Sequence, residues 1–130
     1  MTGPGSPLDD RLPSAFLVEA SVAARALVQQ HLEASSLVRI VGAAATLGAA
    51  AGSIAIHEPD VVIVDDLAEL QAGFPQPPGQ RFVLHATTVP AASLEELGRV
   101  GVHEVVFKEV GMLDDLVAAV RRAANREVKP

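Results

Sequence analysis

The 130-residue sequence contains no cysteine, tryptophan or tyrosine, and its only carbocyclic aromatic residues are four phenylalanines. Without cysteine there are no disulfides, thiol nucleophiles or cysteine metal sites, a composition that fits the cytosol. So few rings provide no platform on which the bases of a single strand could stack. Basic residues are in the minority as well, with Lys plus Arg at 10 against Asp plus Glu at 16 and a net charge of −6. Such a surface repels phosphate backbones and speaks against direct nucleic-acid binding by this segment. No run of about 18 apolar residues occurs, so no membrane span or signal peptide is expected and a cytoplasmic location follows. Glycine-rich phosphate cradles, whether Gly-x-Gly-x-x-Gly after the first apolar run or Gly-x-x-x-x-Gly-Lys, are missing too.

What remains is 49% hydrophobic and 20% charged, enough to bury one core of Val, Leu, Ile and Ala in a single domain. Residues 1–13, rich in Gly, Pro and Ser with little to bury, read as a disordered leader, and the domain occupies residues 14–130. Within it, apolar runs of strand length alternate with helical patterns. Strands are expected at 14–18, 37–41, 61–64, 81–86 and 104–107. Helices are expected at 21–34 (capped by Ser21, with Val22, Leu27 and Val28 turned inward), at 46–57, at 91–100 and at 112–126, with a short helical or irregular piece running to about Ala72. The uninterrupted VVIV of residues 61–64 reads as a central parallel strand covered on both faces. Alternation of this kind implies an α/β fold, a doubly wound five-stranded parallel sheet of order 2-1-3-4-5, the flavodoxin-like arrangement. Chemistry in such a fold collects beyond the carboxyl ends of the strands, where the order reverses.

Glu19 follows the first strand, Asp65 and Asp66 the third, His85 ends the fourth, and Lys108 follows the fifth. Carboxylates converging beside a lysine suit an oxygen-ligand cation such as Mg²⁺, and an aspartyl group so placed can accept a phosphoryl group. Asp65, closing the most buried strand, is expected to point into the site, and Asp66 to turn away. A plainer reading stands beside this one, in which the acids are helix caps and solubilising groups. His31, His57 and His103 are scattered singly, and Ser21, Ser53 and Ser93 lack a hydrolase elbow.

The phrase PDVVIVD at 59–65, the stretch 81–86 and GVHEVVFKE at 101–109 resemble the receiver domain of bacterial two-component response regulators, closest to those of the LuxR/NarL kind. The resemblance runs over about residues 15–127. It implies phosphorylation of Asp65 by a histidine kinase, contact of Lys108 with the phosphoryl group, and a signalling or dimer face on the last two helices. It also implies a C-terminal helix-turn-helix output domain, and the stop at Lys129-Pro130 is read as the end of a piece of a longer protein. Three positions depart from the family phrase. Ala20 stands where a second acidic residue would bind Mg²⁺ directly, His85 where a Thr or Ser hydroxyl is usual, and Val105 where the mobile aromatic residue would be. Thr87 or Thr88 could supply the missing hydroxyl only by a shift along the strand end. Mg²⁺, held by Glu19 and Asp65 alone, is expected to bind weakly. A charged His85 paired with Asp65 would offer pH as an alternative input. The expectation is an atypical receiver that is not an enzyme, with weakened or absent aspartyl phosphorylation; the alternative is a phosphate-independent interaction or dimerisation scaffold with a vestigial site.

Overall fold

A computed structural model describes residues 12–88, 94–108 and 113–125. The chain folds as β1 (Ser14–Val18), α1 (Val22–Ser35), β2 (Arg39–Ala44), α2 (Leu47–His57), β3 (Val61–Val64), α3 (Leu67–Gln71), β4 (Arg81–Ala86), α4 (Leu94–Arg99), β5 (Val102–Phe107) and α5 (Leu113–Ala124). All pairings are parallel and the sheet order is β2-β1-β3-β4-β5. The expected doubly wound order is therefore the observed one. The leader expected at 1–13 lies outside the described residues except at its end, where buried Pro13 accepts a hydrogen bond from the Arg39 amide at 2.8 Å. Residues 91–93, 112 and 126 of the expected helices also lie outside them.

The pleat sorts side chains into two layers, because successive strand residues face opposite sides. Ala15 and Leu17 of β1, Val61 and Ile63 of β3 and Val83 of β4 pack against α1 and α5 through Val28, Leu32, Leu116 and Val120. Phe16, Val18, Val62, Val64, Phe82 and Leu84 pack on the other side against Leu47 and Ile54 of α2, Leu67 of α3 and Leu97 of α4. With both faces covered, β1 and β3 are buried along their whole length, which is why their sequences show no polar alternation.

Three of the βα turns are closed by a short polar side chain. Ser21 accepts from the Ala24 amide at 3.2 Å, Thr46 from Ala49 at 3.1 Å and Asp66 from Ala68 at 2.9 Å. These bonds satisfy amides that the first helical turn leaves without partners. α2 ends on Glu58 with φ 48°, a left-handed residue, and Pro59 then prevents continuation.

Three local expectations are corrected. β2 begins at Arg39 and runs to Ala44, not 37–41. Ser36 spends its conformation on the left-handed helix cap and Ser35 Oγ takes the Leu37 amide at 3.1 Å, so the ladder starts later. β5 begins at Val102 rather than 104, because the Gly101 carbonyl already accepts from the Phe82 amide at 2.9 Å. In α1 the inward residues are Val28 and Leu32, while Val22 and Leu27 are exposed. Val28 and Leu32 lie one turn apart on the face that meets α5, and Val22 and Leu27 fall on others.

Candidate functional site

Five residues expected at one sheet edge arrive there by topology: Glu19 from β1, Asp65 and Asp66 from β3, His85 within β4 and Lys108 just after β5. The Glu19 amide donates to the Ala44 carbonyl at 2.9 Å and the Lys108 amide to the Ala86 carbonyl at 2.9 Å, so the ladder continues one residue past β1 and β5. Both side chains are thereby fixed at the rim of the sheet. Asp66 turns outward to cap α3, as its neighbour's inward direction demands.

Glu19 is the most constrained member. Its side chain is only 4% exposed; Oε1 accepts from Lys108 Nζ at 2.6 Å and Oε2 from the Ser21 amide at 3.1 Å. Its carbonyl accepts from Arg25 Nη1 at 2.8 Å, which ties the first turn of α1 to the end of β1. Arg25 was not singled out from the sequence, where it reads as a surface residue of an amphipathic helix. Asp65 is half-buried, and its Oδ2 accepts from the Ala20 amide at 2.9 Å. Ala20 thus meets the aspartate through its backbone N–H, and its methyl side chain brings no oxygen to the site.

The Asp65 carboxyl holds its proton more tightly than an ordinary aspartate. Burial is the main cause; the Ala20 hydrogen bond opposes it, Glu19 adds to it through like charge and a shared hydrogen bond, and Lys108 opposes it. His85 is 4% exposed, and its pKa is lowered to about 4, first by burial and then by the Lys108 charge, with Asp65 pulling weakly the other way. The imidazole is therefore neutral near pH 7, which corrects the expectation of a charged His85 paired with Asp65. Thr87 and Thr88 follow as exposed residues. Val105 packs, partly buried, against the α2–α4 layer.

These donors do not fit a resident Mg²⁺ as they stand. Both Glu19 oxygens are engaged within the protein, Asp65 Oδ2 is engaged by Ala20, and the lysine ammonium rests against the carboxylate a cation would need. Among the described residues, no group of three His, Asp or Glu side chains is arranged to hold a metal. Nor is any described helix long and apolar enough to cross a membrane.

No family model matches the sequence, and no curated protein matches it. Solved structures do. The response regulator domain of Thermotoga maritima CheB is 22% identical, with a TM-score of 0.71 over 92% of this chain and 100% of that one. A LuxR-family DNA-binding response regulator from Staphylococcus aureus is 19% identical, with a TM-score of 0.68 over 88% of this chain and 100% of the other. An orphan response regulator of H. pylori is 12% identical, with a TM-score of 0.67 over 86% and 96%. Strand order, helix placement and these matches together show that the chain has the fold of response-regulator receiver domains.

Proposed function

We propose that this chain is an atypical receiver domain, the cytoplasmic regulatory part of a response regulator, in which Mg²⁺-dependent phosphorylation of Asp65 is weakened or lost. The observation that carries this reading is the 2.6 Å ion pair between Lys108 and Glu19 beside Asp65. Phosphoryl transfer depends almost wholly on positioning and on positive charge that meets the transferring oxygens. Here the lysine charge is already matched by a buried carboxylate, Ala20 offers no side-chain oxygen, and neutral His85 fills the place of a small hydroxyl. Asp65 remains the phosphoacceptor for whatever transfer survives, with a histidine kinase as donor and Lys108 as charge partner.

The output is a helix-turn-helix domain attached after α5, a reading that the LuxR-family neighbour supports by analogy. Signal then passes through homodimerisation or partner binding on the face of the last two helices. Intact-mass spectrometry after incubation with acetyl phosphate and Mg²⁺, beside Asp65→Asn, tests the chemistry. The expected result is little or no added phosphoryl mass in folded protein. Near-complete addition that disappears in Asp65→Asn would instead make the protein an ordinary phosphorylated switch.

A further inference from the structure

β2 is one edge of the sheet, and among the described residues no strand lies on its outer side. The Arg39 amide and the Ala44 carbonyl are directed inward, where they meet the Pro13 carbonyl and the Glu19 amide. A residue's N–H and C=O share one side of a strand and its neighbour's take the other, so Ile40 and Ala43 turn theirs outward. The register shift against β1 that falls between Ile40 and Gly42 bends the strand without covering these groups.

Folded proteins blunt an open edge with Lys, with inward-pointing charge, with Pro or with a covering segment. β2, of sequence RIVGAA, carries a charge only at its first residue, Arg39. The helices beside it are equally plain. α2 is the one described helix without Asp, Glu, Lys or Arg. Leu47, Ala50 and Ile54 lie on the sheet and Gly48 faces Phe74, on the side of β4. Exposed Ala49 and Ser53, about 100° and 140° further round the helix, are therefore turned to the β2 side. On α1, Val22 is 71% exposed and stands half a turn away from His31, which bonds Asp114 of α5 at 2.9 Å, so it too is on the β2 side.

We propose that β2 pairs antiparallel with β2 of a second copy, about a two-fold axis normal to the sheet, joining the two five-stranded sheets into one. Ile40 of each copy then exchanges both backbone hydrogen bonds with Ala43 of the other, a self-complementary contact of the kind a two-fold requires. The same axis sets α2 against α2. Paired strands lie about 4.8 Å apart and helices are about 10 Å wide, so the two α2 helices meet only if the side chains between them are small, as Ala49 and Ser53 are. Charge favours the same partner: each copy has a net charge of −6, and the one charged residue of the edge strand that approaches it is Arg39. An edge about 20 Å long and three layers about 30 Å deep covers about 600 Å² per copy. That is the lower end of specific interfaces, so dimerisation at about 10–100 μM is expected. The pairing goes beyond the receiver reading and uses no part of the Asp65 site. β5 is the opposite edge, so the face of the last two helices stays free.

The test uses the full chain carrying Phe107→Ser, so that association through the last two helices is not what is read. Sedimentation equilibrium and amide hydrogen exchange are followed from about 1 μM to about 1 mM. A monomer–dimer equilibrium is expected, with the Ile40 and Ala43 amides exchanging about tenfold more slowly in the dimer. Ala43→Lys places a charge on the edge and Ala49→Arg fills the gap between the helices; each is expected to weaken dimerisation about tenfold or more. Both sites are exposed, so circular dichroism should show unchanged folding. Ala55→Arg, exposed on the Gly48 side of α2, is expected to leave the dimer intact. A monomer up to about 1 mM, unchanged exchange at Ile40 and Ala43, undiminished dimer in either edge variant, or an equal loss in Ala55→Arg would overturn the proposal.

Discussion

At the scale of single residues, the contact with the largest consequence is Lys108 on Glu19. With Glu19 only 4% exposed, removing the lysine leaves a carboxylate buried without its cation. Lys108→Met is expected to cost about 3 kcal/mol, whereas the Lys108→Met, Glu19→Gln double variant, which buries no charge, should cost clearly less. Urea unfolding at pH 7 reads both. His85 sets a pH dependence of definite sign. Its folded pKa, about 4 against an ordinary 6.5, means that its contribution to stability is present above pH 6.5 and is lost as pH falls through about 4. The loss is on the order of 3 kcal/mol, so His85→Thr should flatten the decline in stability across that window. Asp65 acts in the opposite direction: its raised pKa favours the fold below the ordinary 3.8 and loses that effect as pH rises through the folded value. Measuring the His85 effect in an Asp65→Asn background separates the two. An unchanged slope in His85→Thr would mean that the imidazole is solvated.

The same residues show how far a site can be read from a sequence. That Glu19, Asp65, His85 and Lys108 meet follows from strand order alone, since each ends or follows a strand. That Lys108 bonds to Glu19, with Asp65 taking an amide from Ala20, does not. It depends on side-chain reach at the rim, where one methylene changes the partner. His85 could be read as charged or neutral until its burial was known.

At the scale of elements, strands were legible where both faces are buried. The runs at Ser14–Val18, Val61–Val64 and Arg81–Ala86 coincide with β1, β3 and β4, because continuous burial writes itself as continuous apolar sequence. β2 is an edge strand whose last residues, Gly42, Ala43 and Ala44, have little intrinsic strand preference. Their place comes from a contact: a Cβ at Gly42 would stand 2.5 Å from the buried Phe16 ring. Gly42→Ala is therefore expected to cost about 1–3 kcal/mol through overpacking. Combining it with Phe16→Leu should cost less than the sum of the two single effects, since the second change opens the space that the first requires. Thermal unfolding of the four proteins checks this. Strict additivity would show that the strand shifts outward without resistance. The helical phase of α1 was misread for a related reason: Val22, Leu27, Val28 and Leu32 are all apolar, and only the position of α5 selects the last two.

At the scale of the whole molecule, two of the large apolar side chains exposed among the described residues mark different candidate surfaces. Phe107, 49% exposed, ends the edge strand β5, which packs against the last two helices; Leu27, 59% exposed, stands on α1. Dimerisation through the last two helices would cover Phe107 and leave Leu27 in water. Because both are exposed, Phe107→Ser and Leu27→Ser should each alter stability by no more than about 0.5 kcal/mol, so a change in association can be separated from a change in folding. Light scattering across a dilution series is expected to show a smaller dimer fraction for Phe107→Ser at every concentration and an unchanged one for Leu27→Ser. The reverse pattern would move the interface to α1. The same series on Asp65→Asn asks what the edge site contributes. If a dimer fraction fixed by Phe107 shifts when only Asp65 is altered, the buried pair and the β5 edge are coupled as a regulatory domain requires. If it does not, the molecule behaves as a scaffold whose association is independent of its acidic site.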